Sequence, residues 1–243
     1  MGGELSEAST PLRARARAAP FPDTRAGFGR RDRRAILAPV RARALALVLL
    51  LGACRDWRQH VDPSRAAAEP EQVPLADAAP IEFELKGYHV RLDPRASYRI
   101  TGYAAETSRQ LLDRWDFVMP MDLALVWGPV ASPEVLRHLK FHLSERYVSY
   151  WYDAGTPSPA VGQLASHIAN NHLIPAEEEV LKTLGRIRIG DLVTLQGKLV
   201  DVEIRDREGR VALRSRTSLT RDDVGSGACE QIWVESVEVE RPE

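Results

Sequence analysis

Along residues 81–243 hydrophobic positions alternate over short stretches more often than they recur every three or four residues, a pattern that predicts strands. Such stretches run over Ile81–Leu85, Tyr98–Ala104, Leu123–Gly128, Tyr147–Tyr152, Asp191–Arg205, Arg210–Ser215 and Glu230–Glu240. Each carries β-branched or aromatic residues and is bounded by turn formers. Asp206-Arg207-Glu208-Gly209 predicts a hairpin connection, because glycine adopts the positive φ that tight turns require. Two segments follow the helical period instead. Leu136, Leu139, Leu143 and Tyr147 fall on one helical face behind a Ser132 cap and Pro133. The second helix follows Pro175, carries Glu177, Glu178 and Glu179 at the end made positive by the helix dipole, and stops at Gly185.

These elements predict an α+β, β-rich class: a small, partly open β-barrel with about two short helices. The stretch Ile189–Val200, with Gly190 and Gly197 inside it, resembles the glycine-punctuated strands of OB-type barrels, in which glycine lets a strand bend sharply. No internal repeat is visible. Residues 81–243 form a single unit of roughly 160 residues, enough for one well-buried core.

The N-terminal third reads differently. Ala44 to Ala53 is an uninterrupted apolar run of about ten residues, half the ~20 that a membrane-crossing helix needs. Arg41 and Arg43 precede it, small residues end it, and Cys54 follows, as in an export signal. Leu51-Gly52-Ala53-Cys54 resembles a bacterial lipobox. The resemblance implies that residues 1–53 are removed and that Cys54 is acylated, becoming the N-terminus of a lipoprotein tethered to a bilayer. Residues 1–40 are long for the leading part of such a signal, which suggests a start nearer Leu37 or Val40; Arg33-Arg34 reads as a chance match to a twin-arginine signal. Arg55 after the cysteine, by resemblance to enterobacterial sorting, favours the outer membrane, facing the periplasm. Residues 54–80 are rich in Ala, Pro, Glu and Asp and predict a lipidated cysteine on a disordered tether.

Processing changes the charge. The whole chain has 33 Lys and Arg against 34 Asp and Glu; the first 53 residues hold ten and four of these, leaving 23 against 30, a formal charge of −7. A surface with that excess does not attract phosphate backbones, so nucleic acid is not an expected partner. With Cys54 acylated, Cys229 is the remaining thiol and no internal disulfide forms.

Candidate chemistry is sparse. Ser166-His167-Ile168-Ala169-Asn170-Asn171-His172 is the densest polar cluster in an apolar neighbourhood. Together with Trp127-Gly128, Gly190-Asp191 and Thr220–Glu230, it resembles a family of bacterial envelope proteins of uncharacterised function, over roughly residues 98–240. That resemblance implies an envelope setting and no particular activity. From the residues themselves, Cys229 with His172 or His167 and Asn171 or Asn170 supplies the three groups of a nucleophilic thiol site, provided that they meet in space. Otherwise the Asn and His side chains tie down a buried loop and Cys229 fills a core position beside Trp233. His138 and His142 have helical metal-ligand spacing, with Glu145 nearby, but no His-Glu-x-x-His motif, and they read as the flank of an exposed helix. Asp222–Gly227 lacks the ligand order of a calcium loop. Neither a metal nor a cofactor is expected. Trp127, Tyr150, Trp151 and Tyr152, with Tyr147 and Arg221, are candidates for ligand binding through aromatic faces with polar tips. The leading expectation is a membrane-tethered envelope lipoprotein that binds or scaffolds a protein or cell-wall ligand. The alternative is an envelope hydrolase or acyl transferase using Cys229 with His167 or His172.

Overall fold

The computed structural model describes residues 56–109, 115–221 and 228–242. In chain order the strands are β1 (Glu71–Pro74), β2 (Ile81–Leu85), β3 (Tyr88–Arg109), β4 (Met121–Val126), β5 (Leu139–Ser144), β6 (Tyr147–Tyr152), β7 (Ile168–Pro175), β8 (Leu192–Arg205), β9 (Val211–Ser215) and β10 (Glu230–Glu240). Three short helices accompany them: α1 (Pro133–Leu136), α2 (Ser158–Val161) and α3 (Glu178–Leu184). The class is β-rich, as the alternating pattern predicts, and the sheet is mixed.

Strand pairing runs β3–β4–β7–β10–β8 and returns to β3, so five strands make a ring-like sheet. All of these pairs are antiparallel except β7 with β10, which is parallel. One strand can serve two neighbours because β3 is 22 residues long and irregular in register at Pro94/Ala96 and Ala104/Glu106. Such bulges bend a strand and raise its twist, which lets a sheet curl onto itself. Gly197 fixes the β8–β10 contact: a Cβ there would lie 1.9 Å from the Trp233 carbonyl oxygen, so no other residue fits without moving backbone. Inside the ring, Ile100, Leu123, Leu125, Leu173, Leu195 and Ile232 form the centre of the main core. A second core gathers Val90, Leu92, Ile174, Val200, Val202 and Ile204 under Phe83 of β2 and Trp233. Helix α3 lies against β7 and β10 and buries Val180 and Leu184.

Three sequence expectations change. The helix through Leu136–Tyr147 ends after one turn, and Leu139, Phe141 and Leu143 continue as β5 with Lys140 and His142 facing out. Those leucines satisfy both periods; the strict alternation through Ser144, answered by β6, settles it as a hairpin. The polar run at 168–175 is a strand, β7, not a loop. Residues 56–80, expected as a disordered tether, are part of the fold. They form 3-10 turns at Trp57–Gln59 and Pro63–Ala66, bury Val61 and Ala66, and pair β1 with β3. The Tyr103 hydroxyl donates to the Asp62 carbonyl oxygen and accepts from the Asp62 N–H, each at 2.9 Å, which holds this segment on β3.

Candidate functional site

On β7 successive side chains point to opposite sheet faces. Leu173 enters the main core, so Asn170 and His172 share the other face. Register brings Asp122 of β4 and Gln231 of β10 abreast of His172. Cys229 precedes β10 by one residue, its carbonyl held by the Ser218 N–H at 3.0 Å. These neighbours come from three strands that are distant in sequence and adjacent only in the ring.

The contacts form a chain. The His172 Nδ1 lies 2.8 Å from the Asp122 Oδ1, and Cys229 is close enough to the same imidazole to help raise its pKa. The Asn170 Nδ2 donates to the Arg146 carbonyl oxygen at 2.8 Å and reaches the Cys229 Sγ at 3.5 Å. Asp122 is fully buried, while His172 and Cys229 are each partly buried. An isolated carboxylate cannot be left uncompensated at that depth. Arg146 meets the need: its Nη1 lies 3.2 Å from the Asp122 Oδ1, while Nη2 pairs with Asp116 and donates to the Met119 carbonyl oxygen at 3.0 Å.

Arg146 reaches this position from the tip of the β5–β6 hairpin. Glu145 and Arg146 both have positive φ, +49° and +64°, the backbone of a tight two-residue connection usually built from glycine or asparagine. A non-glycine residue in that region costs on the order of 1–3 kcal/mol and persists where its surroundings over-determine it. Here the buried ion pairs supply that determination.

The electrostatics of His172 follow. Burial favours the neutral ring, but the Asp122 hydrogen bond, the neighbouring Cys229 and the Asp122 charge together outweigh it and raise the pKa to about 9. The imidazole is therefore protonated at neutral pH. The Asn170 Oδ1 is buried and finds no hydrogen-bond partner among the described residues.

Cys229 and His172 thus meet, as the nucleophilic reading requires, while His167 and Asn171 belong elsewhere. His167 places Nε2 2.9 Å from the Glu69 Oε1 and Nδ1 3.0 Å from the Gln163 carbonyl oxygen, with its ring 5.8 Å from that of Trp127. Asn171 points to the opposite face from His172 and donates to the Leu123 carbonyl oxygen at 3.0 Å. Asp122 and Arg146 went unrecognised in the sequence. The available signal was one carboxylate inside Met121-Asp122-Leu123-Ala124-Leu125-Val126, which has to be paired if that strand is buried.

The aromatic candidates separate in the same way. Trp127 is 1% exposed and donates from Nε1 to the Glu69 Oε2 at 3.3 Å, and Tyr150 packs against the core. Tyr147, Trp151 and Tyr152 remain exposed on the β5–β6 hairpin. Arg221 donates to the Pro70 carbonyl oxygen at 2.8 Å and so helps to hold the N-terminal segment, and burial pushes up the pKa of the nearby Tyr98 hydroxyl. His138 lies 2.8 Å from Asp153, and His142 is on β5, so their helical pairing does not exist. Among the described residues no three His, Cys, Asp or Glu side chains converge as a metal site; Asp122, His172 and Cys229 make a series rather than a cage. Cys54 and Asp222–Gly227 lie outside the described residues. No family model matches the chain, and searches of curated proteins and of solved structures return no match.

Proposed function

We propose that this protein is a thiol-dependent acyl-transfer enzyme, hydrolytic or transferring, of the bacterial envelope. Cys229 is the nucleophile, His172 the proton carrier and Asp122 the group that orients and charges the imidazole. The observation that carries the reading is the buried Asp122–His172 pair with the Cys229 side chain beside it, its sulfur 3.5 Å from the Asn170 Nδ2. In the first step the sulfur of Cys229 adds to the carbonyl carbon of an ester, thioester or amide while its proton resides on His172. Collapse breaks the bond to the leaving group, which departs with that proton. A water or an acceptor hydroxyl, thiol or amine then gives its proton to His172 and attacks the thioester, and Cys229 leaves as the thiol. The Asn170 Nδ2, 3.5 Å from the Cys229 Sγ, helps to hold the sulfur in place.

The setting belongs to the same proposal. The lipobox-like Leu51–Cys54 supports an acylated Cys54 and an outer-membrane address facing the periplasm. The strand order with one parallel β7–β10 pair, and α3 between β7 and β8, support an OB-like, partly open barrel as the scaffold. The exposed Tyr147, Trp151 and Tyr152 favour a second reading, a protein or cell-wall ligand held on the hairpin, which is compatible with catalysis next to it.

The test is acylation by an activated ester. Incubation of the full chain with p-nitrophenyl acetate is expected to place one acetyl group on Cys229, detected by peptide mass, with a matching burst of p-nitrophenolate that His172→Gln removes. Acetylation of Cys229 no faster than that of a free small-molecule thiol at the same pH would count against the enzyme.

A further inference from the structure

Trp57 begins the described fold packed on Gly190, where a Cβ would fall 2.6 Å from the Trp57 Cβ and where φ is +93°. Glycine is required at 190 on both counts. The Arg58 guanidinium lies 5.7 Å from the centre of the Trp57 ring and 3.2 Å from Asp56. Next to Gly190 stands Ile189, 43% exposed, beside an exposed Arg188 with an exposed Arg186 two residues before it. The aliphatic Ile189, left in water beside arginines and near the partly buried Trp57, makes a small amphipathic face on a domain whose overall charge is negative.

The position of this face relative to Cys54 gives it an occupant. Cys54 precedes Trp57 by three residues, which span at most about 10–11 Å when extended. A disordered 26-residue tether would have allowed an average separation of roughly 30 Å. An acylated cysteine holds its backbone at the headgroup level, and each headgroup layer is only about 5–8 Å thick. The folded Trp57 turn removes the slack that would keep the domain away.

We propose that the face formed by Trp57, Arg58, Arg188 and Ile189 rests directly on the bilayer surface. Ile189 and the exposed edge of Trp57 enter the headgroup layer, and the arginines meet lipid phosphates. This rests on the reading that Cys54 is acylated. The Asp206–Gly209 turn, at the far end of the 14-residue β8 from Gly190, lies away from the contact.

Neutron reflectometry of the full acylated chain, in a supported bilayer of phosphatidylethanolamine and phosphatidylglycerol, tests it. Protein density is expected to run into the headgroups with no intervening water layer. A combined Arg188→Glu and Ile189→Glu variant, both positions being exposed, is expected to open such a layer, whereas Glu208→Lys in the distant turn leaves the profile unchanged. A water layer of roughly 20–30 Å under the wild-type protein, or a double variant indistinguishable from it, would overturn the proposal and leave the anchor standing. An intact mass showing no diacylglyceryl group on Cys54 would overturn the anchor and the proposal with it.

Discussion

Two histidines only five positions apart, His167 and His172, each contact a carboxylate, yet they stand in different physical situations. Glu69, the partner of His167, has a side chain 60% exposed, whereas Asp122, the partner of His172, is fully buried. An exposed ion pair is screened by water and contributes little, typically about 0–1 kcal/mol. A buried carboxylate must keep its partners, and its field acts almost undiminished on the imidazole beside it. The lesson is that proximity of histidine and carboxylate does not make a site. Depth of the carboxylate and a thiol side chain close to the ring do, and only His172 has both.

The comparison breaks most readily at the carboxylates. Asp122→Ala leaves Arg146 and His172 beside an empty buried position and is expected to cost about 3–5 kcal/mol, while Glu69→Gln, which keeps an acceptor for the Trp127 Nε1–H, is expected to cost about 0–1 kcal/mol; urea unfolding measures both. A smaller effect lies in pH. The folded pKa of His172, about 9, is above the ordinary value of 6.5, so its contribution is fully present below pH 6.5 and disappears as pH rises through 9. The expected loss between these limits is roughly 3 kcal/mol, and Asp122→Asn should flatten that part of the stability profile. Equal slopes for wild type and Asp122→Asn would remove Asp122 as the cause. The smallest effect concerns the hairpin above the site. Trp151→Ala, at an exposed position, should change stability by less than about 0.5 kcal/mol, whereas Trp127→Ala, in the core, should cost about 3–5 kcal/mol. Thermal unfolding of the two variants checks this.

Most of the strands were legible because half-buried sheet residues write their period into the sequence. β2, β6 and β10 match the alternating stretches end to end, and β8 and β9 differ by one residue at the start. β7 was hidden because Asn170, Asn171 and His172 interrupt its apolar character, although Asn171 is buried and its amide caps backbone carbonyls inside the sheet. The β5 hairpin was hidden because Leu139 and Leu143 satisfy a helical face with Leu136 as well as an alternation with Phe141. Residues 56–80 were hidden because small Ala and Pro side chains carry little apolar signal, while the contacts that hold them, Trp57 on Gly190 and Tyr103 on Asp62, are long-range. The same limit applies to the site. Cys229 and His172 stood out as residue types, but their meeting depends on the parallel β7–β10 register, and Asp122 is selected by the β4–β7 register. No local spacing encodes either.

The most direct test is the rate of iodoacetamide alkylation of Cys229 in the folded full chain between pH 5 and 10, for wild type, His172→Gln and His167→Gln. The account predicts fast labelling at neutral pH that falls at least tenfold, about 1.4 kcal/mol of barrier, in His172→Gln and changes less than twofold in His167→Gln. A thiol that stays silent until the protein unfolds, or equal responses to the two histidine substitutions, would contradict it.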